Sequence, residues 1–307
     1  MKEIIRYKKY KKNILENNLS LWEGDVLELL NSLPNKKIFD LVITSPPYNI
    51  GKEYEEKKSL EEYFSFQEKI IRKICSRLKN TGSICWQVGN YVSKSEIYPL
   101  DFGFHEIFKK YGLYLNNRII WKFGHGLHSS KRFTGRYEVI LWYSKSKDYV
   151  WNLDSVRVPQ KYPGKKAYQG PKKGSLSGNP LGKNPEDFWE FTEDVWDIPN
   201  VKGNHVEKTE HPCQFPVALV ERLIKSLSNK DQLVFDPFMG VGSSGVAAVL
   251  NNRNFLGAEL NSKFIKISEK RLKDSILGKV KIRKDVPVYD HKRSNLSNLP
   301  ENFKNKK

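Results

Sequence analysis

One short segment, Thr44-Ser45-Pro46-Pro47-Tyr48, places a hydroxyl, rigid backbone carbonyls and an aromatic ring directly after an apolar run. The prolines fix the backbone, so the Ser45 hydroxyl and the Pro46 carbonyl are preorganised acceptors. An exocyclic base amine is a poor nucleophile because its lone pair is delocalised, and two such acceptors would favour a tetrahedral, positively charged nitrogen. Tyr48 could stack on an extruded base. The segment therefore predicts an amine-activating turn, and an ordinary proline-rich loop is the alternative.

A second segment, Asp236-Pro237-Phe238-Met239-Gly240-Val241-Gly242-Ser243-Ser244, follows a strand-like run and opens a helix. Gly240 and Gly242 allow a tight turn and close approach of a nucleotide-like ligand to a helix N-terminus. Glu259 ends the next strand, 23 residues after Asp236, where an acid typically accepts from ribose hydroxyls. The pattern predicts a cofactor loop, and a purely structural turn is the alternative.

The two segments together resemble those of the DNA amino-methyltransferases, which methylate cytosine at N4 or adenine at N6. Their order, with Ser-Pro-Pro-Tyr first, is that of the permuted (beta) class. The resemblance covers roughly residues 18 to 275 and implies S-adenosyl-methionine as the cofactor and no metal. The catalytic residues that it implies are Ser45, Pro46, Pro47 and Tyr48.

The resemblance extends to other cofactor contacts. The segment 208–216 is similar to the family segment that packs around the methionine end of the cofactor. Asp25 fits the acidic turn that accepts from the cofactor adenine, although Glu23-Gly24-Asp25 could be a plain turn. The cofactor-binding residues predicted in this way are Asp25, Thr209, His211, Pro212, Phe215, Asp236, Pro237, Phe238, Gly240, Gly242, Ser243 and Glu259.

The identity of the methylated base stays open at this point. Serine in the first motif position is the usual sign of cytosine-N4 methylation and aspartate that of adenine-N6, so Ser45 favours cytosine N4, with adenine N6 as the alternative. Relatives with Asn-Pro-Pro-Tyr methylate RNA or protein, a further alternative. A non-catalytic DNA-binding module is the last alternative, and the intact motifs argue against it. The resemblance also suggests a restriction-modification system, with or without a partner endonuclease.

Seven apolar runs predict strands, and they alternate with helical patterns. The strands are expected at 19–22, 40–44, 83–88, 118–122, 137–143, 233–235 and 255–258, and the helices at 60–78, 105–111, 217–227, 243–250 and 264–277. Continuous apolar runs are typical of strands buried on both faces. We therefore expect an α/β protein with a mostly parallel seven-stranded sheet, which the resemblance identifies as a Rossmann-like methyltransferase fold with an inserted target-recognition lobe.

Periodicity fades between the two halves of this pattern. We expect a catalytic and cofactor-binding domain over 1–143 and 207–278, a target-recognition lobe over 144–206 and a basic tail over 279–307. The segment 161–183 holds six lysines, five glycines, three prolines and no acid, which is typical of a mobile basic loop. Trp189 and Trp196 are expected to build a small core of the lobe. The candidate DNA contacts are His125, His128, Lys131, Arg132, Lys161, Lys165, Lys166, Lys172, Lys173 and Lys183.

The bulk composition agrees with a DNA-binding enzyme. Net charge is +18 over 307 residues, so double-stranded DNA is the expected partner, although a generally lysine-rich surface would give the same balance. Three cysteines are too few for a disulfide framework, and no run approaches the ~20 apolar residues of a membrane span. We expect a cytoplasmic protein of undetermined oligomeric state. Cys213 lies too close to the cofactor strand for a nucleophile, and we expect it to be buried.

Overall fold

A computed structural model describes residues 3–49, 57–124, 128–159, 165–175, 179, 181–189, 201 and 205–283, with the side chain of Lys12 left out. The strands in these ranges are β1 (Ile4–Tyr7), β2 (Leu19–Glu23), β3 (Phe39–Thr44), β4 (Leu78–Val88), β5 (Asn90–Ser93), β6 (Glu96–Pro99), β7 (Tyr114–Lys122), β8 (Tyr137–Ser144), β9 (Phe188–Trp189), β10 (Leu233–Asp236) and β11 (Asn254–Glu259). The α-helices are α1 (Val26–Ser32), α2 (Leu60–Arg77), α3 (Leu100–Lys110), α4 (Val217–Leu227), α5 (Ser243–Leu250) and α6 (Ser262–Ile276).

The main sheet has nine strands in the order β1-β2-β11-β10-β3-β4-β8-β7-β9. In this order, the six strands β1, β2, β11, β10, β3 and β4 are parallel to one another. Strand β8 runs antiparallel to its neighbours β4 and β7. All seven expected strands lie in this sheet, which confirms the mostly parallel α/β class. The edge strands β1 and β9 bring the number to nine. These strands have four and two residues, which is too short for a periodic pattern to predict them.

Helices cover both faces of the sheet. Buried side chains of α1, α2 and α3 form one core, and those of α4, α5 and α6 form the other. The strands between them are apolar throughout, as β3 shows with six buried residues. Phe39 and Phe235 stack across β3 and β10 with ring centroids 4.5 Å apart. Asp40 also joins these strands, since its carboxylate accepts from Leu233 N–H at 3.0 Å.

Two helix boundaries differ from those expected. A capping box between Ser59 and Glu62 starts α2, but the chain is already extended at Leu78, so residues 80–82 belong to β4 and do not terminate the helix. Helix α3 starts at Leu100, five residues before the expected start at His105. Gly103 interrupts the helical pattern there; its missing side chain leaves space for Phe64, whose ring would lie 2.3 Å from an added Cβ.

Part of the segment 144–206 pairs with the main sheet. Trp189 of β9 pairs with Trp121 and is buried in the core under α4, with the Arg222 guanidinium 4.8 Å from its ring centroid. The expectation that Trp189 builds a separate lobe core is therefore wrong, because pairing of β9 with β7 carries it into the main core. Trp196 lies outside the described residues. None of the described helices is long and apolar enough to cross a membrane.

Candidate active site

The two motif segments lie side by side because β3 and β10 are neighbouring parallel strands. The Thr44 hydroxyl donates to Asp236 Oδ1 at 2.7 Å, which joins the end of β3 to the end of β10. Chain connections leave this pair in opposite directions, toward β4 on one side and β11 on the other. Open α/β sheets bind ligands at such a switch point, in the crevice beyond the carboxyl ends of the strands.

The Asp236 carboxylate organises this crevice. Its Oδ2 accepts from the Ser244 hydroxyl of α5, and its Oδ1 also accepts from Phe238 N–H at 3.0 Å. Burial raises the pKa of Asp236 to about 6, and the hydrogen bonds from Ser244 and Thr44 act in the opposite direction. Asp236 therefore holds together the cofactor loop, the start of α5 and the turn of residues 45–48 after β3, here called the catalytic turn. The predicted contact of Asp236 with the cofactor stays a prediction.

The two glycines of the cofactor loop have different neighbours. Gly240 has a φ of +52°, and a Cβ there would lie 3.2 Å from His211 Nε2. Gly242, at φ +76°, is the N-cap of α5, and a Cβ there would lie 2.7 Å from Ser268 Cβ in α6. Gly240 thus lies at the ligand side of the loop, whereas Gly242 allows close packing of α5 against α6.

A cavity of about 530 Å³ extends over these strand ends. The predicted residues in its wall are Asp25, Ser45, Pro46, Pro47, Tyr48, His211, Phe215, Asp236, Pro237, Phe238, Gly240, Ser243 and Glu259. Thr209, Pro212 and Gly242 are not part of the wall. Thr209 instead donates to Gln214 Oε1 at 2.9 Å and supports the loop behind it. The sequence motifs therefore do converge on one cavity.

Two further acids border the cavity at neighbouring strand ends. Glu259 Oε1 accepts from Asn261 N–H at 2.7 Å, and burial raises the pKa of Glu259 to about 7. Asp25 is the N-cap of α1 and accepts from Leu27 N–H at 2.6 Å. Asp25 therefore has the structural role of a turn residue and is also placed at the cavity, so both expectations for it are compatible with the geometry.

His211 lies opposite Gly240. Burial lowers the pKa of the His211 imidazole to about 4, with further lowering by Lys208 and Arg271, so the ring is neutral at pH 7. Its ring packs edge-on against Phe264, with centroids 4.6 Å apart. A neutral imidazole beside an aromatic ring forms a wall that can accept a cationic ligand without charge repulsion.

The catalytic turn is held from both sides. Asn49, buried and at a φ of +60°, bonds through its side chain to the backbone N–H and carbonyl of Lys58, both at 2.7 Å. The Tyr63 hydroxyl donates to the Pro47 carbonyl at 2.7 Å. These bonds fix the turn in space, and they use the Pro47 carbonyl, so that the Pro46 carbonyl remains the candidate acceptor that the motif predicts.

A chain of hydrogen bonds leads from this turn across the sheet. Ser45 Oγ lies 3.1 Å from the Tyr48 hydroxyl, which donates to Glu138 Oε2 at 3.3 Å. Gln87 Nε2 donates to the same Glu138 oxygen. Burial and the charge of Glu138 raise the pKa of Tyr48 well above its ordinary value, so the phenol keeps its proton. Tyr48 packs closely over Gly89, where a Cβ would lie 3.2 Å from Tyr48 Cε2.

Several wall residues carry no motif signal. Gln67 of α2 lines the cavity, and its Oε1 is buried with no partner among the described residues. Phe66 and Phe264 also line it. The amphipathic pattern of α2 assigns positions such as Gln67 to the core face, so a polar residue there was the available signal. Glu138 is not part of the wall but bonds to Tyr48, and an acid at the start of an apolar strand was a similar signal.

Cys213 is exposed and lies in the cavity wall, so the expectation that it is buried is wrong. Its N–H donates to His211 Nδ1 at 3.3 Å, so Cys213 lies in a tight turn before α4, at the cavity and not in the core. Cys75 and Cys85 are buried, and all three cysteines are free thiols.

Most of the predicted DNA contacts are exposed basic residues. The exposed ones are His128, Lys131, Arg132, Lys165, Lys166, Lys172 and Lys173. Residues 165–175 bond to one another through the backbone, with Ala167 N–H donating to the Ser175 carbonyl at 2.8 Å, so this part of the basic segment forms a hydrogen-bonded turn, and the mobility expected for the segment stays a prediction. Lys183 pairs with Glu186 at 2.7 Å. His125 and Lys161 lie outside the described residues.

The chain belongs to the family of N6/N4 DNA methylases, whose model matches residues 39–270. It is therefore a DNA methyltransferase of the N4/N6 type, and S-adenosyl-methionine is the cofactor of this family. The resemblance that the motifs indicated is confirmed.

Curated relatives and solved structures agree with this membership. The Type II methyltransferase M.BglII of Bacillus subtilis is 45% identical over 81% of this chain and 67% of its own length. M.ScaI of Streptomyces caespitosus is 39% identical over 83% and 82%. The DNA adenine methyltransferase YhdJ of Escherichia coli is 32% identical over 90% and 91%.

Two solved structures share the fold. The cytosine-N4-specific PvuII DNA methyltransferase has a TM-score of 0.63 at 22% identity over 83% of this chain and 90% of its own. A Thermus thermophilus modification methylase in complex with S-adenosyl-methionine has a TM-score of 0.59 at 23% identity over 86% and 98%. At these identities the likeness concerns the fold alone.

Proposed function

We propose that this protein transfers a methyl group from S-adenosyl-methionine to the exocyclic amine of a base flipped out of duplex DNA, with cytosine N4 favoured. The observation that carries the proposal is the Thr44–Asp236 hydrogen bond, which joins the catalytic turn to the cofactor loop within one cavity. A donor on one strand end and an acceptor amine on the next would then be in contact.

The cavity fits the cofactor. Gly240, at positive φ, leaves open the space beside the neutral His211 ring. Glu259 at the end of β11 offers a carboxylate to ribose hydroxyls, and Asp25 lies at the end of the adjacent strand β2, where the adenine would bind. When bound, S-adenosyl-methionine supplies an electrophilic methyl group. The neutral side chains of His211 and Phe264 would not repel its positively charged sulfonium.

The catalytic turn acts on the amine. Ser45 Oγ and the Pro46 carbonyl accept from its two hydrogens, which favours a tetrahedral nitrogen and stabilises the positive charge that develops. The Pro47 carbonyl is held by Tyr63, so the turn does not have to reorganise during transfer. The Tyr48 ring stacks on the extruded base. No metal or covalent intermediate is required.

The preference for cytosine rests on Ser45. Serine at this position supports cytosine N4, and adenine N6 remains the second candidate because YhdJ, at 32% identity, is described as a DNA adenine methyltransferase. The resemblance to Type II methyltransferases supports a place in a restriction-modification system, and free thiols suit a reducing cytoplasm. RNA and protein are the less favoured substrates.

The main experiment is a transfer assay. Purified protein is incubated with labelled S-adenosyl-methionine and unmethylated duplex DNA, and the product is digested to nucleosides for mass spectrometry. We expect N4-methyldeoxycytidine. N6-methyldeoxyadenosine would support the second candidate, and label in RNA or protein alone would contradict the proposal.

Duplex DNA would bind over the exposed basic residues. We propose that residues 144–206 form the target-recognition lobe and that residues 1–143 and 207–278 form the catalytic domain. Lys165, Lys166, Lys172 and Lys173 lie on the hydrogen-bonded turn 165–175 and would contact phosphates, which supply affinity but no sequence choice.

A further inference from the structure

The hydrogen bonds that link Ser45, Tyr48, Glu138 and Gln87 each have a defined donor and acceptor. A carboxylate only accepts hydrogen bonds, so the single Tyr48 hydroxyl hydrogen points to Glu138 Oε2, 3.3 Å away. The 3.1 Å contact between Ser45 and Tyr48 must then be donated by Ser45. The lone pairs of Ser45 Oγ are left to accept from a substrate amine.

We propose that Glu138 is a positioning residue for methyl transfer: through Tyr48 it orients the Ser45 hydroxyl toward the amine as an acceptor, and it receives the proton that the amine loses. This inference rests on the proposed function and names the acceptor that the reaction otherwise leaves to solvent.

The proton movement balances. When the N–CH₃ bond forms and the S–CH₃ bond breaks, the amine nitrogen carries a positive charge. Its N–H proton passes to Ser45 Oγ, the Ser45 proton passes to the Tyr48 oxygen, and the Tyr48 proton passes to Glu138. The products are a neutral methylamine, unchanged hydroxyls and a neutral Glu138 carboxyl. Glu138 is partly exposed, so it can return the proton to solvent.

Two observations support a fixed Glu138 that accepts from Tyr48. Gln87 Nε2 donates to the same Oε2 that faces Tyr48, which holds the carboxylate in place. The pKa of Tyr48 is raised by burial first and then by the charge of Glu138, so Tyr48 is a donor throughout the working pH range. The contacts of 3.1 and 3.3 Å exceed the usual O–H···O length of about 2.8 Å, and catalytic hydrogen bonds often tighten around the bound substrate.

The kinetic test is a double-mutant cycle on single-turnover methyl transfer to duplex DNA. Glu138→Gln keeps the size and an acceptor oxygen but cannot take a proton, and Tyr48→Phe removes the hydroxyl and keeps the stacking ring. Each should lower the rate on the order of 10²-fold, with unchanged affinity for S-adenosyl-methionine and DNA. The double variant should be no slower than the worse single one, because both break the same chain.

A second readout needs no turnover. In protein with ¹³Cζ-labelled tyrosine, the Tyr48 resonance, identified by its loss in Tyr48→Phe, should shift in Glu138→Gln. Glu106→Gln, which changes an exposed carboxylate on α3, should leave both the resonance and the rate unchanged. Melting curves check that each variant is folded, and if Glu138→Gln is not, a fully active Tyr48→Phe would by itself contradict the proton path.

The outcomes separate the two proposals. If the wild-type protein methylates duplex DNA but Glu138→Gln is fully active, or the two losses multiply, the role of Glu138 is wrong and the proposed function stands. If the wild-type protein transfers no methyl group to DNA, both are overturned.

Discussion

The cofactor half of the cavity, formed by the loops after β2, β10 and β11, is built differently from the base half, where side chains of β4 and β8 hold the turn after β3 without lining the cavity. In the cofactor half, Asp25, Asp236 and Glu259 each accept from the backbone N–H two residues further along the chain. In the base half, Tyr48 bonds to Glu138, 90 residues away, and Gln87 bonds to Glu138 from a distance of 51 residues.

This difference shows which part of the site depends on the whole sheet. These three contacts with the backbone need only the local geometry of each turn, and Asp236 also accepts from a distant strand end, through Thr44. The base half depends on the register of β4 with β8, in which Val88 lies opposite Val139. A slip of one residue would turn Glu138 to the other face and break the chain to Tyr48.

The largest effect is expected from Gly240→Val in the cofactor half. The backbone at φ +52° strains a β-branched residue, and its Cβ would lie 3.2 Å from His211 Nε2. We expect calorimetry to detect no binding of S-adenosyl-methionine to the folded variant. Gly112→Val is the matched control, because Gly112 also has positive φ, at +69°, but no atom within 4 Å of an added Cβ. Equal loss of binding in both variants would mean that strain alone is responsible.

Ser45→Ala should have the next largest effect, and it should be confined to the base half. Removing one acceptor of the developing charge should slow methyl transfer on the order of 10²-fold while the dissociation constant of S-adenosyl-methionine stays unchanged. Ser32→Ala, at an exposed serine whose hydroxyl donates to the Glu28 carbonyl within α1, is the control. Normal turnover in Ser45→Ala would remove Ser45 from the mechanism.

The contrast between the halves also explains what could be predicted from the sequence. Thr44–Tyr48 and Asp236–Ser244 are contiguous, so a strand followed by a turn was enough to place them at one sheet edge. Glu138 and Gln67 belong to regular elements whose patterns mark them only as strand or helix residues. The place of Gln67 in the cavity wall and the bond of Glu138 to Tyr48 follow from helix packing and sheet order, which one sequence does not contain. The basic turn at 165–175 has backbone bonds that composition does not reveal.

Ligand binding in the cofactor half should depend on pH through Glu259, whose pKa burial raises to about 7. Adenosine, which has the ribose hydroxyls and no group that titrates in this range, is the probe. Its affinity should rise with pH, by about tenfold from pH 6 to pH 8, as the carboxylate becomes ionised. The stability of the ligand-free protein should change in the opposite direction. Because the pKa of Glu259 is higher in the folded than in the unfolded protein, its contribution to folding is fully present at pH values below the unfolded pKa. This contribution is lost as the pH rises through about 7.

Glu259→Gln is the control for this titration. It should bind adenosine with an affinity that no longer changes between pH 6 and pH 8. A pH dependence that persists in Glu259→Gln would assign the titration to another group and would weaken the case for Glu259 as the ribose acceptor.

The smallest effect is expected at the basic turn 165–175, which we propose contacts the phosphates of duplex DNA. Replacing Lys172 and Lys173 by Gln should weaken binding of every duplex several-fold and lower the slope of log K against log salt by roughly 0.9 for each phosphate that the variant no longer neutralises. Lys183→Gln should leave the slope unchanged, because Glu186 already pairs with Lys183 at 2.7 Å. Affinity for S-adenosyl-methionine should be the same in all variants. An unchanged slope in the double variant would mean that this turn is only a solvated surface, and the residues that bind phosphate would then have to be sought among His128, Lys131 and Arg132.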